Sequence, residues 1–164
     1  GPISNSVAFR INGAWEDSNG FRDTVTFKKT ALTPSLLFRI GEATVVNYEL
    51  ELVNQEAPFD RGVVAPFGVL GAVPITRFLG EPGDGVTEID VTGHQLYLQH
   101  EFSSDWSMLV GAGYRESEFA GFSSDPELVA GRQPFYATGT TLSRQRRFRD
   151  YATEDLTVRG EVSG

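Results

Sequence analysis

Cysteine is absent from the 164 residues, which removes disulfides, thiol nucleophiles and thiolate-bound zinc or iron–sulfur centres. Apolar runs are short: no stretch of the chain is long and greasy enough for a transmembrane helix. No charged start followed by an apolar run resembles a secretory signal. Basic residues are in deficit, 14 against 22 acidic ones, for a net charge of −8, and that balance argues against a general nucleic-acid binder. Enzymatic signatures are missing as well: there is no G-x-S-x-G, no phosphate-binding loop and no H-E-x-x-H. The chain reads as a non-enzyme with no cofactor.

What is present points to β structure. A 40% hydrophobic content is too high for a disordered chain, and 18 glycines with 12 phenylalanines suit strands joined by turns. Six segments alternate with a period of two. In 7–16, Val7, Phe9, Ile11, Gly13 and Trp15 oppose Ala8, Arg10, Asn12, Ala14 and Glu16. In 31–40, Leu32, Pro34, Leu36, Phe38 and Ile40 share a parity, with a local irregularity expected at Pro34, which cannot donate to a ladder. In 44–54, Val46, Tyr48, Leu50 and Leu52 oppose Asn47, Glu49 and Glu51. In 93–102, His94, Leu96, Leu98, His100 and Phe102 oppose Gln95, Tyr97, Gln99 and Glu101. Segments 106–116 and 151–162 continue the pattern with Trp106, Met108, Val110, Ala112, Tyr114 and with Leu156, Val158, Gly160, Val162.

The connections alternate too. Gly41–Ala43 and Ser103–Asp105 are tight, whereas Asp17–Thr30, Gln55–Asp90 and Ser117–Asp150 are long. One rim therefore carries tight turns and the other all the large loops. The expected fold is an all-β, antiparallel up-and-down meander. Soluble sandwiches alternate as well, but three features favour lipid against the apolar face. The segments are longer than the five or six residues usual in soluble strands. Trp15 and Trp106 lie at opposite ends of their outward faces, as girdle residues do. Charges of both signs (Arg10, Arg39, Glu49, Glu51, Glu101, Arg159) sit in mid-strand on the other face, as a wet lumen allows.

Several stretches carry a family resemblance. "GPISNSVAFRINGAWEDSNGFRD", "APFDRG" (Ala57 to Gly62), "RFLGEPGD" (Arg77 to Asp84) and "LSRQRRFRDYATEDL" (Leu142 to Leu156) resemble landmarks of the TonB-dependent ferric-siderophore receptors of the ferrichrome and pyoverdine type. The resemblance runs through the chain in order. It implies residues 1–164 of a larger β-barrel of the cell outer membrane, roughly strands three to eight, without plug or TonB box. The implied role is ferric-siderophore import, with outer-membrane lipid and lipopolysaccharide as surroundings and the TonB complex reached through the plug. The rival expectation is a soluble excised β-domain that self-associates or binds a ligand through its exposed strands. Six strands leave two edges unpaired, so both readings must cover them.

Site expectations follow from parity. Arg115, Arg147, Arg149 and Tyr151 fall on the lumen side towards the long-loop rim, where a basic, partly aromatic vestibule would concentrate an anionic chelate. Solvated loop contacts are the bland alternative for the arginine run Arg144, Arg146, Arg147 and Arg149. Phe59 is a further ligand contact, while Asp60 and Arg61 are expected to brace their own loop. Glu49 and Glu51 are expected to pair with cross-strand arginines rather than act as an acid–base couple. His94 and His100 share a parity but stand roughly 20 Å apart along the strand, too far for one metal. The acidic stretch Gly80–Asp90 lacks the spacing of a calcium loop and reads as turn chemistry. No metal site is expected.

Overall fold

In the computed structural model, residues 1–133 and 141–164 are described. Six strands form one sheet: β1 (Val7–Asn19), β2 (Thr26–Ile40), β3 (Thr44–Ala57), β4 (Thr87–Glu101), β5 (Ser107–Pro126) and β6 (Arg144–Ser163). Their order in space is their order in sequence, and each pair is antiparallel. This is the expected meander.

The register joins the apolar sets into one face. Phe9 pairs with Leu36, Leu36 with Tyr48, Tyr48 with Leu96, Leu96 with Ala112, and Ala112 with Val158. Directly opposed residues of an antiparallel pair point to the same side, so these six side chains form one row across the sheet. The next row along the opposite face is Arg10, Ser35, Glu49, Gln95, Gly113 and Thr157. Among the described residues Val91 is the only buried hydrophobic side chain, while Ile11, Trp15, Ile40, Leu156 and Val158 are all well exposed. The sheet is a single layer. Among the described residues no second layer packs on the apolar face.

Pro34 produces the irregularity expected of it. Its pairing with Ile11 of β1 is intact, but the β2–β3 ladder lapses between Leu32–Leu52 and Ser35–Glu49. The register is the same on both sides of the gap, so no residue is inserted. The missing N–H of Pro34 is absorbed as a lapse, not as a bulge.

The strand ends differ from the expected ones. β4 begins at Thr87 instead of Gly93, β5 runs on to Pro126, β6 starts at Arg144, and β2 starts at Thr26. The first long connection therefore contracts to Gly20–Val25, and the third to 127–143, of which 134–140 lie outside the described residues. At the tight rim Trp106 falls outside β5, and its carbonyl accepts from Phe102 N–H at 2.9 Å within the turn.

The added strand length has a physical signature. Beyond the apolar band the two faces exchange character. One outward row reads Trp15, Thr30, Asn54, Asp90, Glu118, Ala152, and the next reads Asp17, Lys28, Glu56, Glu88, Ala120, Asp150. The inward rows at this height hold Val53 with Val91, and Ile89 with Phe119 and Tyr151. The phase of the alternation is unchanged; its sign is reversed.

The apolar band also crosses the rows obliquely. Its upper limit is Trp15 on β1, in the row of Ala152, but Leu156 on β6, four residues lower along the strand. Its lower limit drops likewise, from Val7 on β1 to Phe102 and Trp106, which lie four residues past Leu98 and Val110 of the Val7 row. Four residues are roughly 14 Å, against about 24 Å across five strand spacings, so the band is inclined by about 30° to the rows. A flat slab touches a sheet in this way only when the strands are tilted by that angle.

Candidate functional site

The face opposite the apolar band is polar at mid-height. Arg115 reaches Glu51 at 3.3 Å across β4, over Gly93, which stands between them in the register. A side chain there would be crowded, since a Cβ on Gly93 would lie 3.1 Å from Glu51 Oε2. The pair lines a shallow cavity of about 240 Å³ with Tyr97, Asp155 and Arg159. Glu51 thus has the arginine partner expected of it. Glu49 does not: it accepts from Asn47 at 3.1 Å, while Arg10 donates to Asn12 at 3.0 Å.

Higher on the same face the long-loop rim is built by cross-loop contacts. In Ala57–Gly62 the backbone turns at Gly62, whose φ of +84° favours glycine. Asp60 accepts from Gly62 N–H through Oδ1 and from Arg22 Nη1 through Oδ2, both at 2.8 Å. Asp60 was expected to brace its own loop; it also binds the loop between β1 and β2, where Asp23 N–H donates to Thr76 O at 2.8 Å. The second half of the β3–β4 loop leans the other way. Arg144 pairs with Glu81 at 2.8 Å and Arg146 with Asp84 at 2.7 Å, and Asp84 accepts a further bond from Ser124. The Arg146 and Ser124 hydrogen bonds hold the Asp84 carboxyl below the usual aspartate range. Of the stretch expected to be turn, Gly80–Gly85 is turn chemistry stapled to an arginine run, whereas Thr87–Asp90 belongs to strand β4; no cluster of metal-ligating side chains occurs among the described residues.

Asp60 and Gly62 turn Phe59 and Arg61 towards the sheet. Phe59 meets Phe119 edge-on at 6.2 Å, and Phe119 stacks on Tyr151 at 5.1 Å with 17° between the rings. The Arg149 guanidinium lies 4.7 Å from the centre of the Phe59 ring and that of Arg61 5.4 Å. Both turn to Asp125, at 3.0 Å from Arg149 and 3.7 Å from Arg61. Arg149 also donates to Ser123 Oγ. Two cations therefore share one anion over an aromatic floor, leaving one net positive charge.

Of the residues singled out by sequence, Phe59, Arg149 and Tyr151 are brought together. Arg147 lies one inward position above Arg149, exposed, and donates to Gln145. Arg115 is apart, four residues below Phe119 on β5, or roughly 14 Å. Arg61, Phe119, Ser123 and Asp125 were missed. The inverted alternation of β5 beyond Glu116 was their available signal: Ser117, Phe119, Gly121, Ser123 and Asp125 all continue the inward parity of Arg115.

With this geometry in hand, relatives become informative. No protein-family model matches the chain. Over 158 residues, 96% of its length, it is 33% identical to the metal-pseudopaline receptor CntO of Pseudomonas aeruginosa, with the same figures in strains PAO1 and UCBPP-PA14. The ferric-catecholate import receptor Fiu of Escherichia coli K12 superposes on 98% of the chain in its closed form, with a TM-score of 0.81 at 19% identity, and on 99% in its open form, with 0.83 at 18%. The siderophore receptor PiuA of Acinetobacter baumannii superposes on 99% with a TM-score of 0.83 at 14% identity. The chain is thus similar in sequence to the metal-pseudopaline receptor and in fold to the solved siderophore receptors. It spans 22% of the length of the curated relatives, and 24 to 27% of the solved chains. At such identities the solved structures establish the fold: this sheet superposes on part of the barrel of those proteins, and the oblique band of about 30° approaches the 35–45° strand tilt of outer-membrane barrels.

Proposed function

We propose that this chain supplies barrel wall and long-loop rim to a receptor that imports a chelated metal, with the apolar face against lipid and the opposite face against the lumen. The observation that carries the reading is the pairing of two faces in one sheet. A bare, oblique apolar band lies on one side, and a braced arginine–aromatic cluster lies on the other, above it. A cluster of net positive charge at the mouth of an otherwise acidic wall gathers anions by field focusing. Iron or another metal arriving already wrapped in its chelator needs no protein ligand, only a surface that matches the chelate. The role is transport, not catalysis.

Phe59, Tyr151 and Arg147 form the ligand-facing rim in this proposal, with Arg149 braced against Asp125 beneath it. Arg115, tied to Glu51, acts lower in the wall. The plug, TonB engagement and the identity of the chelator belong to the full-length receptor. Uptake of radio-iron chelates by cells lacking the receptor gene, with and without the full-length gene restored, tests the proposal. Chelate uptake that depends on the restored gene and on the energised inner membrane is expected. Uptake indifferent to the gene across anionic and uncharged chelates would reject it.

A further inference from the structure

The two guanidiniums over Phe59 are not equivalent. Arg149 is 17% exposed, bonded to Asp125 at 3.0 Å and to Ser123 Oγ. Arg61 is 47% exposed, and its 3.7 Å approach to Asp125 is beyond hydrogen-bond range. Among the described residues Arg61 makes no hydrogen bond; its contacts are that loose ion pair and the Phe59 ring. A guanidinium has five N–H donors in a fixed fork suited to two neighbouring oxygens of an anion. Two of the donors of Arg149 are engaged, one with Ser123 and one with Asp125, whereas none of those of Arg61 makes a hydrogen bond among the described residues.

Resting on the transport reading above, we infer that Arg61 is the cation that contacts an anionic metal chelate, and that Arg149, with Asp125 and Ser123, is a positioning residue. Asp125 aims both arginines at Phe59 and cancels one of the two charges. Arg149 holds the ring and, through it, the Phe119–Tyr151 stack. The ligand class that fits is an anionic chelate with paired oxygens on a flat ring. The oxygens meet the fork of Arg61, and the ring lies on the aromatic floor beside Tyr151, which is 55% exposed.

The test uses the full-length receptor in outer-membrane vesicles and two radio-iron probes of similar size. One is a trianionic ferric tris-catecholate of a hexadentate ligand, and the other an uncharged ferric tris-hydroxamate. R61Q is expected to weaken the trianionic probe about tenfold at low salt, with the loss shrinking as salt rises, and to leave the uncharged probe unchanged. R61K should restore part of the loss. R149Q should weaken both probes, because the floor loses its brace. Equal effects of R61Q on the two probes would make Arg61 structural and overturn the inference. No effect of R61Q on a trianionic probe that the wild type binds, or wild-type binding of the uncharged probe alone, would also overturn it while leaving the transport reading intact. Wild-type binding of neither probe would reject both.

Discussion

Ile11 and Leu156 lie in one register row, at opposite edges of the sheet, through Pro34, Leu50, His94 and Tyr114. If the band followed the rows, an arginine would cost the same at both. The oblique band makes them unequal. On β1 the apolar set runs from Val7 to Trp15, and Ile11 is at its centre, roughly 14 Å along the strand from either limit. With a tilt of about 30°, the whole set is about 23 Å tall, close to the roughly 25 Å of a barrel's lipid-facing band. On β6 Leu156 is the uppermost residue of the continuous apolar set, and the next outward positions are Glu154, Ala152 and Asp150, with Phe148 beyond them. An arginine at the bilayer midplane costs about 2–4 kcal/mol and near an interface about 0–1. I11R should therefore destabilise the full-length receptor by about 2–3 kcal/mol more than L156R, roughly thirtyfold or more in the folding equilibrium. Folded fraction in lipid vesicles against guanidinium concentration, read from the mobility of the unboiled protein, measures this. Equal losses for the two variants would refute the tilted-slab reasoning, and a larger loss for L156R would reverse it.

Other consequences follow from the rim. G121A places a Cβ 2.8 Å from Thr87 Cα at a backbone φ of +147°; about 1–3 kcal/mol of destabilisation is expected, seen as a lower guanidinium midpoint. Arg22 and Asp60 are 17% and 15% exposed. R22A should leave Asp60 a buried, uncompensated charge and cost about 3 kcal/mol or more, with faster proteolysis between Asp60 and Thr76, whereas R22A with D60N should recover much of it. Asp84 titrates below the ordinary aspartate value because Arg146 and Ser124 bond its charged form. Its depressed pKa stabilises the clasp above the unfolded value and loses that contribution only as pH falls through the folded one. Proteolysis of the 79–86 segment by an acid-active protease should thus stay slow down to the ordinary aspartate pKa and rise below it, and R146Q should move the rise upward.

The wall was legible in the sequence because parity is a local property. Every apolar set in the six segments falls on one face, and even the lapse at Pro34 follows from a missing donor. The strand ends were not legible, for a specific reason. Thr87–Thr92 and Ser117–Pro126 continue the same alternation with apolar residues inward and carboxylates outward, so a search for one greasy face stops where the surroundings change. The candidate site inherits that difficulty. Phe119 and Asp125 lie wholly in the inverted stretch, and Arg61 reaches them from a loop whose direction is set by Asp60, Gly62 and Arg22, contacts between segments that no spacing reveals. Arg115 shares the inward parity of Arg149, but parity does not tell height, and Glu51 holds it in mid-wall.

The alternation of short and long connections has a bearing on how such a rim changes over generations. Pro58–Val86 joins β3 to β4, whereas Phe102–Trp106 joins β4 to β5. The closure entropy of a flexible loop rises only with the logarithm of its length, so this difference corresponds to roughly 1.5 kcal/mol before any contact is made. A single clasp such as Arg146–Asp84 recovers an amount of that order. Insertions and deletions between Asp60 and Val86 are therefore nearly neutral to the ladder beneath them, provided the few pins at Arg22, Asp23, Arg144 and Arg146 find partners. Selection can rewrite the long-loop rim while the lattice of strand pairs, fixed by rows that never pass through the loops, stays as it is.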